Sequence, residues 1–330
     1  MLPDFSNRIF KIKSKKEFNC LALEIFRYQA EYNLVYKEYV NLICKDKRMV
    51  EHYSQIPFLP IEFFRTKDVV TGNGNVQKIF RSSGTTGQLQ SKHCVTDFSV
   101  YESAAIRSFE LFYGDVSEFT FLALLPSYLE RDDSSLVSMT NLFINKSNFK
   151  NDCGFFLHDH EDLIKCLKKL SFEKSRKVLL LGVSFALFDL AEKIDFPLND
   201  VIVMETGGMK GRRKEIVREE LHKILCEKMK INKIHSEYGM TELLSQSYSQ
   251  GDGIYKSPPW MKVIIREMND PLTIAEESRS GGINIIDLAN INSCSFIATQ
   301  DLGKRFADGT FEVSGRFDNS DTRGCNLMIS

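Results

Sequence analysis

The 330-residue chain predicts an α/β fold: a layered body around a largely parallel sheet, followed by a smaller C-terminal β subdomain. Three observations carry that expectation. Apolar runs such as Phe119–Leu125 are continuous rather than alternating, as strands buried on both faces are. Between residues 119 and 235 such runs alternate with stretches of helical periodicity. After Trp260 the helical stretches stop, and short strands separated by Gly, Asp and Asn turns take over. The predicted division is 1–255 and 256–330, with Gly251-Asp252-Gly253 at the boundary.

In chain order, Phe18, Leu21, Ile25 and Tyr28 predict a helix over Lys16–Asn33, and Tyr36, Val40 and Ile43 a second over Leu34–Cys44. Pro57-Phe58-Leu59-Pro60 interrupts the pattern. A strand at Val76–Phe80 then leads into a polar loop, and Ser99–Tyr113 reads as helix. Helices are expected at Asp162–Leu170, Ser184–Lys193 and Arg213–Met229, between strands at Lys177–Val183, Val201–Met204 and Lys233–His235. Lys262–Arg266, Gly282–Asp287, Ser295–Ala298 and Thr310–Ser314 are the strands of the subdomain.

Bulk chemistry excludes several classes. Lys+Arg of 43 against Asp+Glu of 44 leaves no basic excess for nucleic acid, and the cluster Lys210–Lys214 reads as a solvated helix face. No run approaches the roughly 20 apolar residues of a membrane span, and the N-terminus has no apolar signal core. Eight scattered cysteines without a C-x-x-C pair suit free thiols in a cytoplasmic protein, and His158 and His160 read as surface residues rather than metal ligands.

The chemistry concentrates in four segments. Ser82-Ser83-Gly84-Thr85-Thr86-Gly87 puts hydroxyls and amides around two glycines, a composition suited to a phosphate chain, at the carboxyl end of a strand. It lacks the lysine and glycine spacing of a P-loop. Glu205-Thr206-Gly207-Gly208-Met209 follows a strand, and its paired glycines let a flat ring lie against the backbone. Tyr238-Gly239-Met240-Thr241-Glu242 supplies a ring, a hydroxyl and a carboxylate in five residues. Asp301-Leu302-Gly303 and Gly315-Arg316-Phe317-Asp318 flank a turn at Asp308-Gly309.

The order and identity of these motifs resemble the adenylate-forming superfamily, which includes acyl-CoA synthetases and phenylacetate-CoA ligases, from about residue 57 onward. The resemblance implies the fold of that family's N-terminal domain, with ATP and Mg2+ as cofactors and a carboxylic acid as substrate. It assigns Ser82–Gly87 to the phosphates, Thr241 to the α-phosphate, Glu242 to the metal and Gly207-Gly208 to the adenine shelf. It assigns Tyr238 and Gly239 to the adenylate, Asp301 to the ribose, and Arg316 and Asp318 to the hinge. The chain stops 12 residues after Asp318, so the mobile C-terminal domain and its catalytic lysine are expected to be absent.

Glu205–Arg212 and the closing Arg323-Gly324-Cys325-Asn326-Leu327 most resemble the acyl-protein synthetases of bacterial luminescence fatty-acid reductase complexes. That branch implies activation of a fatty acid, transfer to Cys325 and an acyl reductase as partner. An acyl- or aryl-CoA or carrier-protein ligase, and a non-catalytic binding protein, stand as alternatives. A neighbouring cation, Arg323 or Arg316, would favour the Cys325 thiolate, and the other seven cysteines read as buried packing residues. His93 either orients a carboxylate or phosphate or caps a strand, and Lys92 is a candidate stand-in for the lysine. Phe119, Phe121, Leu122, Tyr128, Met139 and Phe143 are candidates to line an acyl pocket.

Overall fold

A computed structural model describes residues 4–44, 46–83, 89–126, 133–157, 159–171, 173, 176–207 and 217–317. The chain enters through α1 (Phe5–Ile9) and α2 (Lys15–Tyr32), the latter opened by a capping box between Ser14 and Glu17. Asn33 closes α2 and caps α3 (Leu34–Ile43), its Oδ1 accepting from Tyr36 N at 2.9 Å. β1 (Leu59–Pro60) and α4 (Phe63–Thr66) follow, then β2 (Lys78–Arg81) and β3 (Lys92–Val95).

The middle of the chain holds α5 (Phe98–Tyr113), β4 (Phe119–Leu124), α6 (Ser135–Lys146), β5 (Gly154–Phe156), α7 (His160–Leu170) and β6 (Lys177–Val183). It continues through α8 (Ser184–Ala191), β7 (Val201–Thr206), α9 (Arg218–Met229) and β8 (His235–Tyr238). Short β9 (Ser247–Ser249) and β10 (Tyr255–Lys256) precede β11 (Met261–Arg266), β12 (Ser280–Asp287), β13 (Phe296–Arg305) and β14 (Phe311–Arg316).

Twelve of these strands form one sheet in the order β11-β12-β13-β14-β10-β9-β8-β7-β6-β4-β5, with β1 beside β13. The run β5-β4-β6-β7-β8 is parallel, as the alternation of strands and helices predicts. From β8 to β11 every pairing is antiparallel. The period-two pleat divides the parallel strands between two cores. Phe119, Phe121, Leu179 and Leu181 face α5 and α6, whereas Leu122, Leu124, Val178 and Leu180 face α7, α8 and α9. Each fully buried leucine there contributes about 1.5–3 kcal/mol. Among the described residues no helix is long and apolar enough to cross a membrane.

Two local expectations need correction. The strand before the polar loop is not part of the large sheet: β2 pairs only with β3, in a separate two-stranded antiparallel ribbon. The candidate acyl-pocket residues do not share a cavity wall. Phe119, Phe121 and Phe143 pack round Phe109 at centroid distances of 4.9–5.7 Å, and Leu122 points to the opposite face of the sheet.

Candidate functional site

The site is built where strands of the parallel run end and antiparallel ones begin. β7 delivers Glu205, Thr206 and Gly207, and β8 delivers Glu237 and Tyr238 beside them, with Thr206 paired to Glu237 in parallel register. Across the sheet, Asp301 on β13 and Arg316 on β14 are direct antiparallel partners. The β2–β3 ribbon closes a third side with Ser82, Ser91 and His93.

Hydrogen bonds join these sources. The Tyr238 hydroxyl donates to Asp301 Oδ2 at 2.7 Å, and Arg316 Nε donates to Asp301 Oδ1 at 2.9 Å. Both carboxylate oxygens of Asp301 are thus oriented, each with a further lone-pair direction to offer. The Tyr238 ring itself is buried, edge-on to Tyr255 and Phe311 at 5.8 and 5.6 Å. Arg316 keeps 70% of its side-chain surface, so its cation remains reachable from solvent.

His93 Nδ1 lies 2.9 Å from the Thr241 carbonyl. A carbonyl only accepts, so Nδ1 carries the proton, and the neutral ring leaves Nε2 as an acceptor. Burial holds the ring neutral, pushing its pKa down to about 4 despite the opposing bond to Thr241. His93 therefore orients the Thr241–Glu242 turn.

Glu242 is buried, and burial raises its pKa; the hydroxyl of Ser91 and the charge of Arg316 act in the opposite sense. Ser91 is itself set by the ribbon, its N–H donating to Ser82 Oγ at 2.9 Å and its carbonyl accepting from Ser82 N at 3.1 Å. Glu242 is a buried carboxylate whose ionisation a cation would favour. Among the described residues no group of three or more His, Cys, Asp or Glu could hold a metal by itself. A single carboxylate suits Mg2+ carried in on phosphate oxygens, which needs only one or two protein ligands. Glu242 would hold it.

Gly207 adopts φ +73°, and among the described residues nothing lies within 4 Å of where its Cβ would stand. Sequence reasoning missed what anchors it. Glu205 is buried with its Oε2 2.8 Å from His222 Nε2 and its Oε1 3.6 Å from Arg218 Nε, both on α9. Arg218 also donates to the Val313 carbonyl on β14 at 3.0 Å, tying two walls of the site together. A carboxylate closing the apolar run Val201–Met204 was the available signal.

Also missed was Glu237, whose carboxyl accepts from the Thr206 hydroxyl at 2.5 Å. Burial pushes it up to about 7.

Of the expected site residues, Ser82, Gly207, Tyr238, Gly239, Thr241, Glu242, Asp301, Arg316 and His93 fall in this neighbourhood. Ser83 follows Ser82 at the end of the ribbon strand. Gly84, Thr85, Thr86, Gly87, Gly208, Met209, Asp318, Arg323 and Cys325 lie outside the described residues, as do Tyr128, His158 and the cluster Lys210–Lys214.

Lys92 does not point inward. It alternates with Ser91 and His93 along the strand and pairs instead with Asp68. The cysteines also depart from expectation. Of the seven described cysteines, Cys94 and Cys294 are buried, Cys20 is exposed, and Cys44, Cys153, Cys166 and Cys226 are half-buried. Burial still raises the pKa of Cys94, Cys166 and Cys226, and lifts Cys294 to about 12, which keeps those thiols protonated.

The fold is that of adenylate-forming acyl- and aryl-CoA synthetases. The chain superposes on an open conformation of 2-hydroxyisobutyryl-CoA ligase in complex with 2-HIB-AMP and CoA with a TM-score of 0.67, at 9% identity, covering 95% of this chain and 78% of that one. ATP-bound MatB from Rhodopseudomonas palustris gives 0.56 at 14% identity over 74% of this chain. O-succinylbenzoate coenzyme A synthetase from Bacillus subtilis, with ATP and magnesium ion, gives 0.52 at 18% over 72%. The chain spans about half the length of the last two, 49% in each case. No protein-family model and no curated protein matches the sequence.

Proposed function

We propose that this protein activates a carboxylic acid with ATP as an acyl-adenylate and passes the acyl group to a thiol, in the manner of an acyl-protein synthetase. The observation that carries the reading is the convergence of Ser91–Glu242, His93–Thr241 and Tyr238–Asp301–Arg316 from three separate parts of the fold. Two of the similar solved structures hold ATP and a third holds 2-HIB-AMP and CoA. Residues 1–255 supply the phosphate side of the site on this reading, and 256–330 bring Asp301 and Arg316 to it.

In the first step a carboxylate oxygen of the acid bonds to the α-phosphorus of ATP, and the bond from that phosphorus to the β-phosphate bridge breaks, releasing pyrophosphate. Mg2+, when bound, would be held by Glu242 and would neutralise phosphate charge. Thr241, its backbone held by His93, offers a hydroxyl to the α-phosphate. Arg316 faces the same charge, while Asp301 accepts from the ribose hydroxyls.

In the second step a thiolate attacks the acyl carbon and AMP leaves with the electron pair of the broken C–O bond. We assign the thiol to Cys325 and the acid to the fatty class, with an acyl reductase or carrier protein downstream. The chain would then act in the cytoplasm.

Acid-dependent exchange of labelled pyrophosphate into ATP tests the first step. Glu242→Gln should lower it by at least about 100-fold; exchange that survives this change, or none with any fatty or aryl acid, defeats the reading. Cys325→Ser should keep exchange and abolish acyl label on the protein. Persistent label would place the acceptor elsewhere, with coenzyme A or a carrier as the next to test.

A further inference from the structure

The stretch from Gly239 to Gln246 joins β8 to β9 without helix or ladder, so its buried backbone groups need partners from outside. One turn, directly after β12, supplies them. Asp287 Oδ2 accepts from Leu244 N at 3.0 Å and Ser245 N at 2.9 Å, and its Oδ1 accepts from the Ser245 hydroxyl at 2.7 Å. Asn290 Nδ2 donates to the Glu242 carbonyl at 2.7 Å and to the Cys294 carbonyl at 3.2 Å. Two carbonyl oxygens on that end fix which amide atom is nitrogen.

The turn is held from behind by α2. Gln29 Nε2 donates to the carbonyls of Asn290 and Ile291, both at 2.9 Å, and Gln29 Oε1 accepts from Ser295 N at 3.0 Å. All of these side chains are fully buried, and Asn290 Oδ1 has no partner among the described residues. Among the described residues this asparagine therefore serves through its amide donors alone.

We infer that Asn290, with Asp287, is a positioning residue for Glu242: the turn after β12 sets where that carboxylate stands, and through Gln29 makes α2 part of the site's frame. The inference rests on Glu242 being the metal-side acid proposed above. Its test does not depend wholly on that reading.

Asn290→Asp keeps the shape but replaces the donor with an acceptor facing the Glu242 carbonyl. Ser293→Ala is the matched control, because the Ser293 hydroxyl in the same turn donates away from the site, to the Val69 carbonyl at 2.8 Å. In the full-length protein, the Mg2+ concentration for half-maximal pyrophosphate exchange should rise about 10–100-fold in Asn290→Asp, the range for groups that orient a metal ligand. It should stay within about 2-fold in Ser293→Ala. Equal shifts in the two variants would reduce Asn290 to a stabilising residue and overturn the inference.

Amide hydrogen exchange across Gly239–Gln246 reads positioning without any activity. It should quicken in Asn290→Asp and not in Ser293→Ala at matched stability. If neither variant alters this exchange the inference fails, even where the enzyme reading stands; if the loop loosens as expected but no acid supports pyrophosphate exchange, the enzyme reading fails alone.

Discussion

The parallel and antiparallel halves of the one large sheet are stabilised by different physics. In β4 and β6 every residue but Lys177 is buried, and apart from Thr120 all the buried ones are apolar or glycine. Ionisable groups in that half appear only at strand ends, as Glu205 on β7 and His235 and Glu237 on β8 do. The antiparallel half buries polar groups inside its strands, Asn284, Thr299 and Asp301, as well as at strand ends, Arg266 and Asp287.

Arg266 shows what that requires. Among the described residues its guanidinium has only neutral oxygens as hydrogen-bond partners, with Nη1 donating to Ile283 O and Asn284 Oδ1 at 2.8 Å and Nη2 to Thr299 O at 2.6 Å. It fits because Gly282 has no side chain in the space it occupies. The parallel half is therefore a scaffold whose parts are interchangeable by size. In the antiparallel half each buried group depends on a named partner, and function is coupled to stability there.

The sharpest way to break this contrast is a core truncation in the scaffold. Leu180→Ala, at a fully buried position in the face under α7, α8 and α9, should cost about 2–5 kcal/mol in denaturant unfolding. Exchange activity per folded molecule should stay unchanged. A catalytic defect in protein that is fully folded would mean that the parallel half does more than hold strand ends in place.

The same contrast explains what the sequence made legible. β6 occupies the predicted span Lys177–Val183, because an unbroken apolar run has one reading in an α/β chain. β8 was placed at Lys233–His235 but runs His235–Tyr238, and β9, Ser247–Ser249, was missed. His235, Ser236, Glu237, Ser247 and Ser249 are polar and buried, so local hydropathy points the wrong way. α6 escaped for a related reason: Leu136, Leu142 and Ile144 are only half-buried, so its apolar positions trace no single stripe. The site motifs were legible by residue type. The contacts that orient them, of Ser91 with Glu242, of Glu205 with α9, and of Asp287 and Asn290 with the loop after β8, were not, since each joins segments distant in sequence.

Acidity gives a second test at the junction of the halves. Burial raises the Glu237 carboxyl from an ordinary 4.5 to about 7, so the folded protein holds this proton more tightly than the unfolded chain does. The contribution to stability is complete below about pH 4.5 and is lost as pH rises through about 7. At 1.36 kcal/mol per pH unit it amounts to about 3 kcal/mol across that window. Unfolding free energies of the unmodified protein and Glu237→Gln, measured from pH 4.5 to 8, should diverge by that slope. Parallel curves would mean that Glu237 is ionised or hydrated in the folded state.

On the antiparallel side, Asp301→Asn retains an acceptor for Tyr238 but removes the charge that Arg316 meets and that, on the proposed reading, the ribose would meet. A hydrogen bond to a charged group contributes about 1.5–3 kcal/mol, so KM for ATP should rise about 10- to 100-fold, and the unfolding free energy should fall with it. Unaltered KM would remove Asp301 from the nucleotide site and leave it as a structural link between β8 and β14.

The smallest effect distinguishes two glycines that look alike in sequence. Gly207 has a left-handed backbone and, among the described residues, no atom near its missing Cβ, so Gly207→Ala should cost the conformational penalty, about 1–2 kcal/mol. Gly239 has no such backbone constraint, yet a methyl group there would overlap the Glu237 carboxyl. Gly207→Asn should recover part of the loss, because asparagine visits that conformation readily. At Gly239 the second change Glu237→Ala should do so, by vacating the space. Thermal unfolding of Gly207→Ala, Gly239→Ala, their two rescues and the two crossed variants separates the cases: rescue in the crossed pairing, Gly239→Asn or Glu237→Ala with Gly207→Ala, would show that the glycines are needed for reasons other than conformation at one and room at the other.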